Sequence, residues 1–153
     1  MDELPDDLAR LWFLIRRVAG LMDRSGEALF RSGVGISLAQ FLVLSVVDAH
    51  PGTLSQQAIA DRLGLTKGTV SKQIENAIAA KLMTAGPAPH SRRENAVALT
   101  SKGTELVRSG DALFEQARRN RLPAVPAADL AATLRTLAAW NRALENPAES
   151  EAG

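Results

Sequence analysis

The stretch LSQQAIADRLGLTKGTVSKQIENAIAAKL, which spans residues 54–82, decides the fold of this chain because it predicts two short helices joined by a tight turn. Ser55 and Thr66 are small hydroxyl residues of the kind that N-cap helices. Gly64 lies between them and can adopt the left-handed conformation that ends a short helix. Two helices joined by a short turn that contains glycine are typical of a helix-turn-helix.

The second helix of this stretch has two chemically different faces. When residues are placed 100° apart around its axis, Val70, Ile74, Ala77 and Ile78 lie on one side, where they must pack against the preceding helices. The opposite face carries small and polar side chains and no acid: Gly68, Thr69, Lys72, Gln73 and Asn76. An ordinary solvated face, which is the alternative, would mix acids with bases.

These residue types are the ones that recognise nucleic acid. Lysine can donate to guanine, glutamine and asparagine can pair with adenine, and threonine can contact a thymine methyl group or a phosphate. Free amides at the helix N-terminus, near Thr66 and Lys67, favour phosphate. We interpret the face as one that reads double-stranded DNA. We also predict DNA contacts for the neighbouring Ser71, and for Ser55 and Gln56 at the start of the first helix of the helix-turn-helix.

The pattern beyond Leu82 changes from helical to alternating. Glycine and proline in TAGPAPH, followed by the alternating AVAL, predict a two-stranded hairpin with strands near residues 82–85 and 95–99. Its tip carries Arg92 and Arg93. A tip beside a DNA-reading helix can reach the adjacent minor groove, where arginine gains from the negative potential of a narrow groove. A solvated loop is the alternative; we favour a DNA contact, with Arg93 ahead of Arg92.

Long amphipathic helices flank this central part. Apolar residues recur at helical spacing over residues 6–32, 101–121 and 127–145, and Ser37 caps a nearly all-apolar helix that precedes the helix-turn-helix. Thr100 caps the helix at 101–121, whose Leu106, Leu113 and Phe114 we expect to point inward. The sequence thus predicts a mainly α fold with a small β-hairpin wing. A winged helix-turn-helix at residues 37–100 follows an N-terminal dimerisation helix at 1–36. It precedes C-terminal dimerisation helices at 101–146 and a disordered tail at 147–153.

The apolar stripes of the terminal helices predict a homodimer. The central lobe is too small to cover stripes at both ends of the chain, and a twofold interface would bury them. The same symmetry would place two recognition helices about one turn of DNA apart. A monomeric helical bundle is the alternative.

The composition indicates a globular domain, and the distribution of charge favours binding to a polyanion. The chain has 153 residues, of which 46% are hydrophobic, enough for one core. Residues 53–102 hold seven basic and three acidic side chains, a net charge of +4; since the whole chain has +1, the rest carries −3. The positive field is therefore concentrated where a polyanion would bind.

Several kinds of site are excluded by the residue types present. The chain has no cysteine, and His50 and His90 are its two histidines. We therefore expect no metal, no cofactor and no catalytic residues, since zinc needs three or four ligands and no convergent acid, base and nucleophile are evident. No apolar stretch is long enough to span a membrane and the N-terminus is acidic. We therefore expect a cytoplasmic protein without membrane contacts.

In these motifs and their order, the chain resembles the MarR family of winged-helix transcriptional regulators over about residues 8–144. SLAQFLVL is similar to the family's Q-aromatic-x-x-L stretch, residues 54–78 resemble its helix-turn-helix, and RR…VALTSKG resembles the end of its wing and the start of its fifth helix. The resemblance implies a homodimer built by the first, fifth and sixth helices. It also implies two wings that straddle a pseudo-palindromic operator, and usually repression relieved by a small ligand. By position it places Thr66, Lys67, Thr69, Lys72 and Gln73 on the recognition helix and Arg93 at the wing arginine.

The resemblance also implies an effector crevice between the dimerising helices and the DNA-binding lobe. Trp12, Arg16 and Phe41 are candidates to hold a small aromatic or lipophilic effector there, such as an aromatic acid. The alternative is that Trp12 and Phe41 are core residues.

Three departures from the family pattern affect the wing. Ser91 replaces the usual aspartate two residues before the wing arginine and cannot form its salt bridge. Lys81 stands where glycine usually precedes the first strand, and a side chain in a left-handed conformation carries a penalty. The tip, with Pro87 and Pro89, lacks the usual charges. These departures leave an alternative function: a winged-helix protein-interaction module with weak or lost DNA binding, whose binding would depend little on salt.

Overall fold

The chain forms six helices and one two-stranded antiparallel hairpin in the part that the structure describes, which is residues 6–88 and 91–146 of a computed structural model. Within the hairpin, the side chains of residues 88 and 91–95 lie outside that description. The elements in chain order are α1 (Asp7–Gly33), α2 (Leu38–Ala49), α3 (Gln56–Leu63), α4 (Lys67–Ala79), β1 (Met83–Ala88), β2 (Ser91–Leu99), α5 (Ser101–Arg121) and α6 (Ala127–Glu145). The predicted fold class, a mainly α winged helix, is confirmed. Among the described residues, those up to Gln116 form one compact unit and those from Ala117 a second.

Side-chain caps fix where the helices begin. The hydroxyl groups of Ser37, Ser55 and Thr66 accept hydrogen bonds from the backbone N–H groups three residues later, at 3.1, 3.2 and 3.1 Å. Thr100 caps α5 in the same way, because its Oγ1 accepts from the N–H of Gly103 at 3.1 Å. All four predicted caps are confirmed, and they account for the agreement between the predicted and observed starts of α2, α3, α4 and α5.

The core of the first unit is built around α2. Phe41, Val43, Leu44 and Val47 are all buried, with side chains on more than one side of this helix. The ring of Phe41 stacks on that of Phe30 with centroids 4.0 Å apart. α5 passes close to this pair at Gly110, where a Cβ would lie 2.2 Å from Cε2 of Phe41. The nearly all-apolar sequence of α2 is therefore explained by burial on several sides.

Glu27 joins the end of α1 to the start of α2. Its Oε2 accepts a hydrogen bond from the N–H of Leu38 at 2.8 Å, and its other oxygen pairs with Arg31 one turn later. The backbone hydrogen bond is the main reason that the pKa of Glu27 is lowered from its ordinary value of 4.5; desolvation opposes this and Arg31 adds to it. The carboxylate thus acts as a second acceptor, beside the Ser37 cap, for the free amides at the start of α2.

Three details of the fold differ from the sequence expectations. The strands run closer to the tip than predicted, because pairing continues through Gly86 with Ala96 and Pro87 with Asn95 before an irregularity after Pro87. Backbone pairing needs no side-chain alternation, which was the signal that the prediction used. Ile78 is 40% exposed because it lies in the last turn of α4, at the margin of the apolar face. Phe114 is 46% exposed rather than inward, whereas Val107 on the same helix is buried.

Candidate nucleic-acid interface

The helix-turn-helix forms as the sequence predicts. Gly64 ends α3 with φ 62°, a left-handed conformation, and the N–H of Leu65 closes the turn on the carbonyl of Ala60 at 3.0 Å. α4 then begins at Lys67 and packs against α2 and α3 through the buried side chains of Val70, Ile74 and Ala77. Because this face is buried, the orientation of α4 is fixed and its opposite face is turned to solvent.

The solvent-facing side of α4 brings the predicted DNA-reading residues onto one surface. Gly68, Lys72 and Asn76 are exposed, and Thr69 and Gln73 are half-buried beside them. Thr66 and Lys67 are exposed at the N-terminal end of the same helix. Glu75 is exposed at the margin of this face, about 20° beyond Gly68 around the helix axis. The face therefore presents lysine and amide groups at its centre and one carboxylate at its edge.

Two hydroxyl groups at the start of α4 have structural partners. The hydroxyl of Thr69 lies 2.8 Å from that of Thr66, so the two share a hydrogen bond at the helix N-terminus. The Oγ of Ser71 donates to Oε1 of Gln56 at 2.5 Å. Ser71 and Gln56 therefore tie α4 to the first turn of α3. This role within the fold was not part of the sequence prediction, which named both only as DNA contacts.

The C-terminal end of α4 closes in a left-handed turn at Lys81. The N–H of Lys81 donates to the carbonyl of Ile78 at 3.0 Å, and the N–H of Leu82 donates to that of Ala77 at 2.8 Å. This is the Schellman arrangement, which places the residue after the C-cap in the left-handed region. Lys81 has φ 59° and is the one described non-glycine residue with positive φ. The left-handed conformation expected at Lys81 is confirmed.

The start of α5 holds that turn in place. Oγ1 of Thr100 donates to the carbonyl of Lys81 at 2.7 Å, and Nζ of Lys102 donates to that of Ala80 at 3.1 Å. The N–H of Thr100 donates to the carbonyl of Leu82 at 3.0 Å. Gly103 has no room for a side chain, because a Cβ there would lie 2.0 Å from the same carbonyl oxygen. Sequence reasoning missed this clamp; the signal was the TSKG that begins α5.

The hairpin follows α4 directly and contacts it through β1, so the predicted wing is in place beside α4. β2 begins at Ser91 and includes Arg92 and Arg93. The side chains of these three residues, and Pro89 and His90 entirely, lie outside the described residues. Pro87 is exposed on β1. The wing contacts with DNA therefore stay a prediction.

The three residues suggested for an effector crevice differ in exposure. Phe41 is 6% exposed and belongs to the core, as the alternative interpretation held for it. Trp12 is 45% exposed and Arg16 is also exposed on α1. Phe41 thus has little surface to offer a ligand in this structure.

Neither a metal site nor a membrane-spanning helix is evident in the part of the chain that the structure describes. No group of three or more histidine, aspartate or glutamate side chains is placed to hold a metal ion. No single helix in this part is long and apolar enough to cross a membrane. α1 and α2 meet that criterion only when taken together across an 83° bend.

Known proteins share this architecture. A model of the MarR family matches residues 34–94, which include α2, α3, α4 and β1. No curated protein sequence matches the chain. Among solved structures, a MarR/EmrR family transcriptional regulator from Acinetobacter sp. ADP1 superposes with a TM-score of 0.80 at 19% identity, over 92% of this chain and 99% of that one.

Two further structures are similar over most of the chain. CouR from Rhodococcus jostii RHA1, bound to p-coumaroyl-CoA, has a TM-score of 0.76 at 20% identity, over 89% of this chain and 92% of its own. S. aureus MepR in complex with DNA has a TM-score of 0.72 at 22% identity, over 86% and 96%. At these identities the likeness establishes the fold. Together with the family match over residues 34–94, it shows that the chain is similar to MarR family proteins and has the winged helix-turn-helix fold of these structures.

Proposed function

We propose that this chain is a cytoplasmic, homodimeric regulator of transcription. Through α4 and the hairpin it binds a pseudo-palindromic DNA operator, and a small ligand relieves its repression. The observation that carries the proposal is the solvent-facing side of α4, where Lys72, Gln73 and Asn76 lie together opposite a buried apolar face. The structures of MepR with DNA and of CouR with p-coumaroyl-CoA support the two halves of the proposal by analogy.

The rigidity of α4 also supports a role in reading DNA. Base recognition needs side chains held in one geometry relative to the groove. α4 is tied at its start to α3 by the bond between Ser71 and Gln56 and at its end to α5 by Thr100 and Lys102.

Exposed apolar side chains on the terminal helices support the homodimer. In the isolated chain, α1 exposes Leu8, Trp12, Phe13, Val18, Leu21 and Met22, and α6 exposes Leu130, Leu134, Leu137 and Leu144, each by 40% or more. Rows of apolar residues on this scale mark association surfaces in proteins that do not aggregate. We expect sedimentation at micromolar concentration to give a dimer, and a monomer would contradict this part of the proposal.

The DNA half of the proposal is tested by selecting binding sites from random duplex DNA at two salt concentrations. If Lys67, Arg92 and Arg93 of both protomers neutralise phosphates, the slope of log K against log salt is about −5. Affinity then falls roughly two-thousandfold between 50 and 200 mM salt. The enriched sequence should be a palindrome with half-sites about one turn apart. Binding to protein partners with a flat salt response, and no enriched DNA, would favour the interaction-module alternative.

Variants of Lys72 and Arg93 distinguish a contact that reads a base from a contact that does not depend on sequence. Lys72→Ala should weaken operator binding and relax the preference at one base position in each half-site, because its amine is predicted to read a base edge. Arg93→Ala should weaken binding to all sequences alike and leave that preference intact. Arg24→Ala removes an exposed charge from α1, outside the lobe, and serves as the matched control. An unchanged selection profile for Lys72→Ala would contradict its role in reading bases.

A further inference from the structure

A row of arginines runs along α1 on a side that neither the proposed DNA contacts nor the apolar stripe of this helix uses. Arg10, Arg17 and Arg24 recur every seven residues and are all exposed. Each is two turns of helix from the next, so they lie on one side of α1 with steps of about 10.5 Å. Phe13 and Gly20 lie between them, at the three- and four-residue spacing of a helix-packing seam. We call these five residues the arginine row.

Phe13 differs in position from other exposed apolar residues of α1. Its side chain is 51% exposed and lies about 40° from Arg17 around the helix axis. Leu8 and Met22 lie about 140° or more away from Arg17. A homodimer that buried Leu8 and Met22 would therefore leave Phe13 in water, between two arginines.

The charges of the arginine row have no acid to neutralise them. Its three guanidinium groups form no ion pair and no hydrogen bond with the residues that the structure describes. The two acids that adjoin the row are engaged elsewhere. Asp6 is the N-cap of α1, and Glu27 binds the start of α2 and Arg31. Residues 8–22 contain no acid. The row therefore favours a partner that supplies carboxylates.

The spacing of the row fits a helix as that partner. A second helix packed alongside at a shallow angle presents its own residues at the same seven-residue repeat, so acids one heptad apart meet successive arginines. An apolar side chain of that helix can pack on Phe13. Another can enter the gap over Gly20, where the nearest atom to an added Cβ would be a guanidinium nitrogen of Arg24 at 3.7 Å.

Other polyanionic surfaces fit the row less well. A phosphate backbone offers nothing apolar to Phe13, and a lipid bilayer would take up the broad apolar side of α1 instead. A second copy of the row would bring like charges together, which is destabilising. The partner is therefore a different segment that carries negative charge at the same spacing.

We propose that the arginine row is a docking site for an acidic amphipathic helix of another protein. Acidic side chains of that helix pair with Arg10, Arg17 and Arg24, and an apolar side chain packs on Phe13. Exposed ion pairs are individually weak, so the repeat of three provides the selectivity. Docking does not depend on the proposed DNA function.

The test measures binding of two synthetic helical peptides to the full-length protein by fluorescence anisotropy. One peptide carries glutamate and leucine alternately at three- and four-residue spacing, so that its acids recur every seven residues. In the other peptide, glutamine replaces each glutamate. Three exposed ion pairs should make the acidic peptide bind about tenfold more tightly, which corresponds to about 1.4 kcal/mol. High salt should reduce this preference because it screens exposed charges.

Two double variants with the same loss of charge separate the row from a general charge effect. Arg10→Gln combined with Arg17→Gln removes two charges of the row and should reduce the preference to about twofold. Arg16→Gln combined with Arg62→Gln removes two exposed charges outside the row and should leave the preference unchanged. Phe13→Ala should weaken binding of both peptides alike.

Four results would overturn the proposal. The wild type could show no preference for the acidic peptide, or both double variants could lose it equally. Dissociation of the dimer by the row variant, measured by sedimentation, would assign the row to the homodimer. Tighter binding to vesicles that contain phosphatidylserine than to the peptide would assign it to a membrane surface. Each result is independent of whether the protein selects an operator, so failure here is distinct from failure of the DNA proposal.

Discussion

Gly103→Ala tests the clamp between the end of α4 and the start of α5. The added Cβ would lie 2.0 Å from the carbonyl oxygen of Leu82 and 3.0 Å from its carbon. Non-bonded carbon and oxygen atoms approach to about 3.3 Å, so the start of α5 must move away by roughly 1.3 Å. The obstacle is backbone, held in place by the turn at Lys81, and it cannot rotate away as the end of a flexible side chain would.

That displacement disrupts the hydrogen bonds that join the two helices. Three hydrogen bonds cross this junction. The N–H of Thr100 donates to the carbonyl of Leu82 at 3.0 Å, Oγ1 of Thr100 to that of Lys81 at 2.7 Å, and Nζ of Lys102 to that of Ala80 at 3.1 Å. At about 1 kcal/mol each their loss destabilises by roughly 3 kcal/mol. The better helix propensity of alanine offsets at most about 1 kcal/mol. We expect a net loss of about 2 kcal/mol in the free energy of unfolding.

The assay is urea unfolding at a fixed protomer concentration, because dimer stability depends on concentration. With a slope of about 2 kcal/mol per molar urea, the midpoint should fall by roughly 1 M. Gly68→Ala at the exposed start of α4 is the matched control, since the nearest atom to its Cβ would be the hydroxyl oxygen of Thr66 at 4.0 Å. It should raise stability by up to about 1 kcal/mol. If Gly103→Ala proves as stable as the wild type, the close approach between α5 and Leu82 does not constrain the fold.

Three further predictions concern single side chains. Lys81→Gly should raise the free energy of unfolding by about 1 kcal/mol because it relieves the left-handed strain at φ 59°. Lys81→Ala should change this free energy little. A lower free energy of unfolding for Lys81→Gly would contradict the strain at this position. Glu27 has a lowered pKa in the folded protein, so its contribution is present above about pH 4.5 and lost as the pH falls further. The stability advantage of wild type over Glu27→Gln, followed by thermal unfolding, should therefore shrink on acidification, and a constant difference would refute this. Single and double alanine variants of Gln56 and Ser71 should show a coupling of about 1 kcal/mol in a double-mutant cycle, and strict additivity would show that their hydrogen bond does not tie α3 to α4.

The local signals in the sequence determined most of the fold. Caps at Ser37, Ser55, Thr66 and Thr100, together with the turn at Gly64, fixed the helix starts, because each depends on a hydrogen bond or backbone conformation within a few residues. The buried face of α4 followed from its period, and its opposite face was therefore also predictable. The extent of the hairpin was not, since strand pairing depends on the partner strand and not on the residues of one strand alone.

Tertiary structure determined the contacts between the helices. Three features depend on residues that lie 15 to 21 positions apart in the chain. They are the hydrogen bond between Ser71 and Gln56, the close approach of Gly103 to the carbonyl of Leu82, and a groove between α2 and α3 that Ser45 and Arg62 line. No periodicity encodes such distances, because they are set when helices pack. The sequence by itself specified an amphipathic α4 with one polar face. Its attachment to α3 and α5, and the groove behind it, arise only from the packing of the folded lobe.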